Sequence, residues 1–250
     1  MIEVNTHKIT SERIPTEFNG FKIAHISDFH NRKKYEKILD CLKKSEADII
    51  VITGDFIDSR KTKTQISLGF AKELVKIAPC YYVMGNHESR LKEIYPDFEN
   101  ELKKIGFCVL RNEASKIEKN GKHITLVGID DPRLSYNKES AKKACQVIAD
   151  QLSKIEYDGY TVLLSHRPEA FLEYVNAKID LALTGHAHGG QIILPLIGGI
   201  IAPNQGLFPK YYRGLYTKDE TRMLVNRGLG NSLFPFRFNN RPEIAIIELN

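Results

Sequence analysis

Five short strings in this chain gather carboxylates, imidazoles and one carboxamide: "SDFH" (27–30), "GDFID" (54–58), "GNHE" (85–88), an isolated His166, and "GHAH" (185–188). Between them they supply Asp28, His30, Asp55, Asp58, Asn86, His87, His166, His186 and His188, and they hold five of the eight histidines. His7, His25 and His123 fall outside and read as surface or packing residues. Oxygen and imidazole donors without a thiolate suit Mn, Fe, Zn or Co as divalent ions rather than a structural zinc. Seven plausible donors are more than one ion normally takes from protein, so two ions sharing a carboxylate fit better. Each string alone has an ordinary reading. An Asp after a strand is more often a turn former or helix cap, and His166 before "RPEA" could sit beside a helix start.

What raises the strings above that reading is where they fall. Apolar, β-branched runs precede them: "FKIAHIS" (21–27), "DIIVIT" (48–53), "CYYVM" (80–84), "YTVLLS" (160–165) and "IDLAL" (179–183). In an open α/β sheet, ligands bind beyond the carboxyl ends of strands. Stretches 33–45, 64–77, 89–105 and 138–154 have helical spacing, and the alternation predicts βαβ units with sheets covered on both faces. "GFCVLRN", "SKIEKNGKHITLVGI", "TRMLVN" and "EIAIIEL" read as strands joined by turns, which predicts a second, more antiparallel sheet. Gly185, Gly189 and Gly190 are expected to bend the backbone so that His186 and His188 reach neighbouring ions.

The order D-x-H, G-D-x-x-D, G-N-H-E, H, G-H-x-H resembles the calcineurin-like metallophosphoesterase superfamily, over about Lys22 to Gln191. That resemblance implies an α/β fold, a four-layer α/β/β/α sandwich with two mixed β-sheets. It implies Asp28, His30 and His188 on one metal ion, Asn86, His166 and His186 on the other, and Asp55 bridging the pair. His87 would be a non-ligand histidine beside the scissile phosphate, with Asp58 orienting it, and a hydroxide between the ions would attack phosphorus. Ala187 stands where threonine is frequent in the family, and no ligand is lost by it. A single domain over 1–250 is expected, with the motifs in 22–191 and with 192–250 forming a substrate-facing loop and closing strands.

Two divalent ions set against Asp28, Asp55 and a hydroxide leave one positive charge, which a phosphodiester or pyrophosphate-linked substrate would balance. A monoester dianion would want a further cation, for which Arg32 and Arg167 are candidates by proximity. Between Gly189 and Pro209 the chain has no charged residue, and Lys210, Tyr211, Tyr212 and Arg213 follow. This reads as a packed loop, or as an apolar lid or membrane-interface patch over 192–213 for a lipid-linked phosphate. With "VNRGLGNSLFPFR", the segment is similar to the bacterial predicted phosphohydrolases that include UDP-diacylglucosamine hydrolases and cell-envelope phosphoesterases. The expected partner is a phosphorylated small molecule or a lipid-linked substrate.

Composition narrows the alternatives. With 42% hydrophobic and 27% charged residues the chain belongs with ordinary globular proteins. Its net charge of +5 is spread among acids, without the basic groove of a nuclease, which argues against nucleic acid. A nonenzymatic scaffold on the same fold would be expected to lack several ligands, and here each position is filled. The four cysteines lie far apart and read as reduced thiols. "MIEVNTHKITSERIP" lacks a basic end followed by an apolar block, so the expected location is cytoplasmic, with peripheral contact at the inner membrane face.

Overall fold

Strand Ile49–Thr53 is buried on both faces, and its period-two alternation reveals the layering. Ile50 and Ile52 point into a core shared with Ile38, Leu42, Phe70, Leu74 and Leu102 of the overlying helices. Ile49 and Val51 point the other way, into a core with Ile124, Val162, Leu164 and Leu183 of a second sheet. In strand Tyr160–Leu164 the roles alternate again: Val162 and Leu164 join the inter-sheet core, while Leu163 packs with Ile148, Leu152 and Phe171 beneath the outer helices of the far side. Three cores therefore separate four layers, the α/β/β/α arrangement. These observations come from a computed structural model, which describes residues 2–135, 140–195, 197–231 and 237–250.

The first sheet runs, in spatial order, Glu3–Ile9, Glu243–Leu249, Phe21–Ile26, Ile49–Thr53, Cys80–Val83 and Cys108–Val109. Only the pairing of Glu243–Leu249 with Phe21–Ile26 is antiparallel in it. The second sheet runs Gly214–Lys218, Thr221–Val225, Leu181–Thr184, Tyr160–Leu164, Lys122–Gly128 and Glu113–Lys119, with a parallel centre and antiparallel outer pairs.

This corrects the expected sorting of strands. "GFCVLRN" and "EIAIIEL" belong to the first sheet, and the second is largely parallel through its middle. Local patterning reports that a segment is a half-buried or buried strand, but pairing across more than two hundred residues, as between Ala245 and His25, leaves no local trace.

The helices fall where spacing puts them, with trimmed ends: Glu36–Ser45, Thr64–Leu74 and Ala141–Leu152. The expected helix 89–105 is instead two, Asn86–Arg90 and Tyr95–Ile105, the second starting with Pro96 in its first turn. Within 192–213, Ala202 and Tyr211 pack into the third core, whereas Leu207 and Phe208 at the end of a small hairpin are 66% and 64% exposed. Leu196 and residues 232–236 of the singled-out segments lie outside the described residues. Among the described residues no helix is long and apolar enough to cross a membrane.

Candidate metal centre

Parallel neighbours end on the same edge of a sheet, so the strand order carries the site. Phe21–Ile26, Ile49–Thr53 and Cys80–Val83 adjoin in the first sheet and release Asp28, His30, Asp55, Asn86 and His87 at one edge. Tyr160–Leu164 and Leu181–Thr184 adjoin in the second and release His166, His186 and His188. Bonds across the layers bring the two edges into register. His166 Nδ1 lies 2.7 Å from the carbonyl oxygen of Thr53, and the His186 amide donates to Asp28 Oδ2 at 3.1 Å.

Of the groups of side chains that could hold an ion, two share Asp55: Asp28, His30, Asp55 and His188, then Asp55, His166 and His186. In the first, His188 Nε2 is 3.2 Å from Asp28 Oδ1, and His30 Nε2 is 3.4 Å from His188 Nε2 and 3.6 Å from Asp55 Oδ2. In the second, His166 Nε2 is 3.3 Å from Asp55 Oδ2, 3.2 Å from His186 Nδ1 and 3.1 Å from Asn86 Oδ1. A carbonyl only accepts, so the bond to Thr53 puts a hydrogen on the His166 Nδ1; burial opposes charge on the ring, but Asp55 raises its pKa to about 10, and a cation at Nε2 would take the place of that second proton. All seven expected ligand residues are thus together, and all are buried.

The residues fit a cation. Asp28 Oδ1 is buried without a hydrogen-bond partner. Burial pushes the Asp28 carboxyl up to about 6, and burial drives the His30 imidazole down to about 3 and those of His186 and His188 well below the usual range. Neutral imidazoles and a carboxyl short of positive charge are what a positive ion would satisfy. Asn86 points the same way. Reversing its amide would give a donor 2.8 Å from His186 Nδ1 and an acceptor 3.0 Å from Arg90, whereas a cation uses Oδ1 beside the two ring nitrogens as it stands.

Five of the seven ligand residues have φ in the left-handed region: Asp28 (51°), His30 (49°), Asp55 (52°), His186 (64°) and His188 (47°). Asp and His enter that region more readily than other side chains, yet each such residue costs on the order of 1–3 kcal/mol. The bend expected at the glycines is thus shared with the ligand positions themselves. Gly189 and Gly190 do have positive φ, but the histidines bend as well. Gly185 serves a different purpose, since a Cβ there would fall on Ser27 Oγ and Asp28 Oδ2.

His87 stays outside the two groups that share Asp55 and forms, with His30 and Asp58, a third group that could hold an ion, its Nε2 3.9 Å from Asp55 Oδ2. Asp58 Oδ1 stands 3.2 Å from its Nδ1, as expected, and the Ser59 amide donates to the same nitrogen at 2.9 Å. The amide needs a lone pair on Nδ1 and the carboxylate needs a hydrogen there, so the neutral ring with its hydrogen on Nε2 suits Ser59 and the charged ring suits Asp58. Burial opposes charge on His87, but the carboxylates of Asp55 and Asp58 outweigh it and raise its proton affinity.

The two candidate arginines part company. Arg32 is half-buried, donates to the carbonyls of Leu229 (2.6 Å) and Lys34 (3.1 Å), and lines a cavity of about 720 Å³ beside His30 and Asp58. Arg167 is fully buried, so it is corrected from a substrate contact to a support. Its Nε and Nη2 bond Asp131 at 2.6 and 3.0 Å, and its Nη1 lies 2.9 Å from His186 Nε2.

Sequence reasoning passed over the remaining supports. The buried Glu88 carboxylate accepts from the backbone of Gly85 (2.8 Å), Asp55 (3.0 Å) and Ile57 (2.9 Å), tying two ligand loops together. Asn240 Nδ2 donates to the His188 carbonyl at 2.7 Å, and Arg237 Nη1 donates to the Arg227 carbonyl at 2.7 Å while Nη2 stands 3.5 Å from His188 Nδ1. Asp131 had a readable signal: it follows strand Lys122–Gly128, another carboxyl end that delivers an acid. Glu88 is inside a quoted motif, but nothing local says that its carboxylate turns back on the loops.

A fold of two mixed sheets with a buried Asp and His cluster at their joined edges is that of a metallophosphoesterase. The family model for calcineurin-like phosphoesterases matches residues 21–190, and the chain belongs to that family. It is 33% identical to the uncharacterized metallophosphoesterase YkuE of Bacillus subtilis (strain 168), covering 100% of this chain and 86% of that one. It is 29% identical to the phosphodiesterase YaeI of Escherichia coli (strain K12), over 92% of this chain and 82% of the relative. The crystal structure of TT1561 from Thermus thermophilus shares the fold, with a TM-score of 0.54 at 12% identity over 83% of this chain and 89% of that one. The protein is a hydrolase acting on phosphoester bonds, with a divalent metal centre among its Asp and His residues.

Proposed function

We propose that this chain hydrolyses a phosphodiester or pyrophosphate-linked substrate at a centre of two divalent ions, drawn from Mn, Fe, Zn and Co. The observation that carries the number two is the sharing of Asp55 between two otherwise separate groups of donors. Asp28, His30 and His188 would hold one ion with Asp55, and Asn86, His166 and His186 the other. When bound, such ions supply Lewis-acid polarisation of the phosphoryl oxygens and a water acidic enough to ionise near neutral pH.

The chain's own residues do the rest. His87 faces the cluster with Nε2 and, as an imidazolium whose Nδ1–H donates to Asp58, would protonate the departing oxygen and be left as the neutral ring. Glu88 holds the loops of Asp55 and Asn86 at fixed separation. Arg167, locked by Asp131, sets the rotation of His186.

The test is metal content measured alongside turnover of bis(4-nitrophenyl) phosphate and 4-nitrophenyl phosphate. The reading expects about two ions per chain and faster hydrolysis of the diester. Two tightly held ions without turnover of either ester would favour a scaffold, and cleavage of single-stranded DNA at comparable rates would favour a nuclease.

A second reading concerns the source of the substrate. Leu207 and Phe208 project at the open end of a hairpin, close in sequence to Lys210 and Arg213, an exposed apolar pair with basic neighbours suited to an anionic bilayer that presents a lipid-linked phosphate. Co-sedimentation with vesicles containing phosphatidylglycerol, lost in Leu207→Asp/Phe208→Asp, tests this, and absence of wild-type binding removes it.

A further inference from the structure

We propose that the cleft beside the metal centre is a second anion site, which takes a further phosphate carried on the leaving-group side of the substrate. This rests on the hydrolase reading above. The cavity of about 720 Å³ runs along His30 and Asp58, and its walls carry Arg32, Lys33, Lys34, Arg60 and Lys61. These cations come from the two loops that also place ligands. Arg32 to Lys34 follow Asp28 and His30, and Arg60 and Lys61 follow Asp55 and Asp58.

Lysines without an ion pair among the described residues are common on this molecule, Lys37, Lys43 and Lys122 among them, but here three line one cavity together with two arginines. On the helical faces, Lys76, Lys103, Lys104 and Lys154 each sit within 2.8 Å of an acid three or four residues away. Lys33, Lys34 and Lys61 are exposed and form no ion pair or side-chain hydrogen bond among the described residues. The single carboxylate in the lining is Asp58, and it is committed: Arg60 holds it through Nε (3.1 Å), Nη2 (3.0 Å) and the backbone amide (2.8 Å), with His87 Nδ1 at 3.2 Å. Arg32 is pinned by its two carbonyl bonds, so its guanidinium is presented rather than free to swing away. Apart from Arg60, which Asp58 neutralises, these cations have no counter-charge among the described residues, so they focus a positive field in a concave wall that a dense anion would relieve.

Position selects which part of the substrate this anion belongs to. His30 and Asp58 border both the cavity and His87, whose ring packs edge-on against His30 at 4.6 Å between centroids. His87 is the residue proposed to protonate the departing oxygen, so the cleft lies on the departing side. The substrate class is therefore a diester or anhydride whose leaving group bears a second phosphate. A forked guanidinium together with several ammonium groups suits a phosphate dianion better than a single carboxylate.

A matched pair of diesters tests this: methyl phenyl phosphate and methyl 4-(phosphonooxy)phenyl phosphate, whose departing phenol carries the second phosphate, offered to the Mn-loaded enzyme with release of the phenol followed by chromatography. Wild type should favour the ester whose leaving group is phosphorylated by about 10-fold or more in kcat/KM, chiefly through KM, and the advantage should shrink in high salt. In Lys33→Gln/Lys34→Gln/Lys61→Gln, whose substitutions are all on the surface, the ratio should fall to within about twofold of unity. Calorimetry of 1,4-phenylene bisphosphate against phenyl phosphate on the same two proteins should show the same loss of preference. Equal handling of the two esters by wild type, or an unchanged preference in the triple variant, overturns the second site and leaves hydrolysis standing. If neither ester turns over, the hydrolase reading fails, and the calorimetric preference then decides the anion site by itself.

Discussion

His166 Nδ1 bonds the carbonyl oxygen of Thr53 at 2.7 Å, joining the end of a strand in one sheet to the end of a strand in the other. The contact is intimate enough to do two things at once. It fixes the imidazole tautomer, and it holds the second sheet's histidines against the first sheet's carboxylates. The metal centre is therefore a property of the seam between sheets, and the changes below are aimed at that seam.

Asp55→Asn removes the charge common to both donor groups while keeping the shape of the side chain. Metal content measured by mass spectrometry should fall for both ions together, and kcat/KM should drop by at least about 100-fold, the upper end of what is lost when only a ligand's support is removed. Loss of one ion with the other fully retained would contradict the shared role.

His87→Asn should keep the metal content of wild type and lower kcat by about 10²- to 10⁴-fold, the range of a positioned proton donor. The deficit should be smaller for an ester with a good leaving group such as 4-nitrophenolate than for an alkyl ester. A variant that no longer binds metal would place His87 among the ligands instead.

Glu88→Gln tests a support rather than a reacting group. The carboxylate accepts three backbone N–H bonds, and an amide offers one oxygen and turns an NH₂ toward donors. Stability in urea should fall by about 1–3 kcal/mol, the cost of leaving buried donors unmet. An unfolding midpoint equal to wild type would show that the loops do not depend on it.

Gly185→Ala places a methyl where Ser27 Oγ and Asp28 Oδ2 lie, both fully buried. Overpacking of this kind costs about 1–3 kcal/mol, and here it also displaces a ligand. Metal affinity should weaken along with stability, whereas Gly121→Ala, at a surface turn with open space around it, should leave metal affinity unchanged.

Acid sensitivity has one source outside the metal centre. His25 is completely buried, and burial lowers its pKa to about 3, against an unfolded value near 6.5. Between those values the unfolded chain binds a proton that the folded chain refuses. Its contribution to stability is therefore complete above about pH 6.5 and is lost as pH falls, by up to about tenfold in the unfolding constant per pH unit. His25→Phe should show a shallower decline of stability from pH 6.5 toward 4 than wild type in denaturant titrations. Parallel declines would mean that His25 is protonated in the folded state.

Much of this site could be read in one dimension. Asp, His and Asn recur just past short apolar runs, and because parallel strands end at a common edge, that pattern implies convergence before any coordinates exist. The ligand types, the alternation of strands and helices, and the exclusion of thiolate chemistry all follow from residues a few positions apart. Asp131 could have been added by the same rule.

Tertiary structure decided the rest, because the decisive contacts are far apart in the chain. Insertion of Glu243–Leu249 beside Phe21–Ile26 depends on pairing partners at opposite ends of the sequence. Arg167 reads from its sequence position as a free cation, and only burial against Asp131 and His186 shows it to be a support. Glu88 reads as one more surface acid until three amides converge on it. Side-chain type and spacing record what a segment can bind or bury. Which atoms meet depends on how the layers stack, and that is set by the packing of all three cores together.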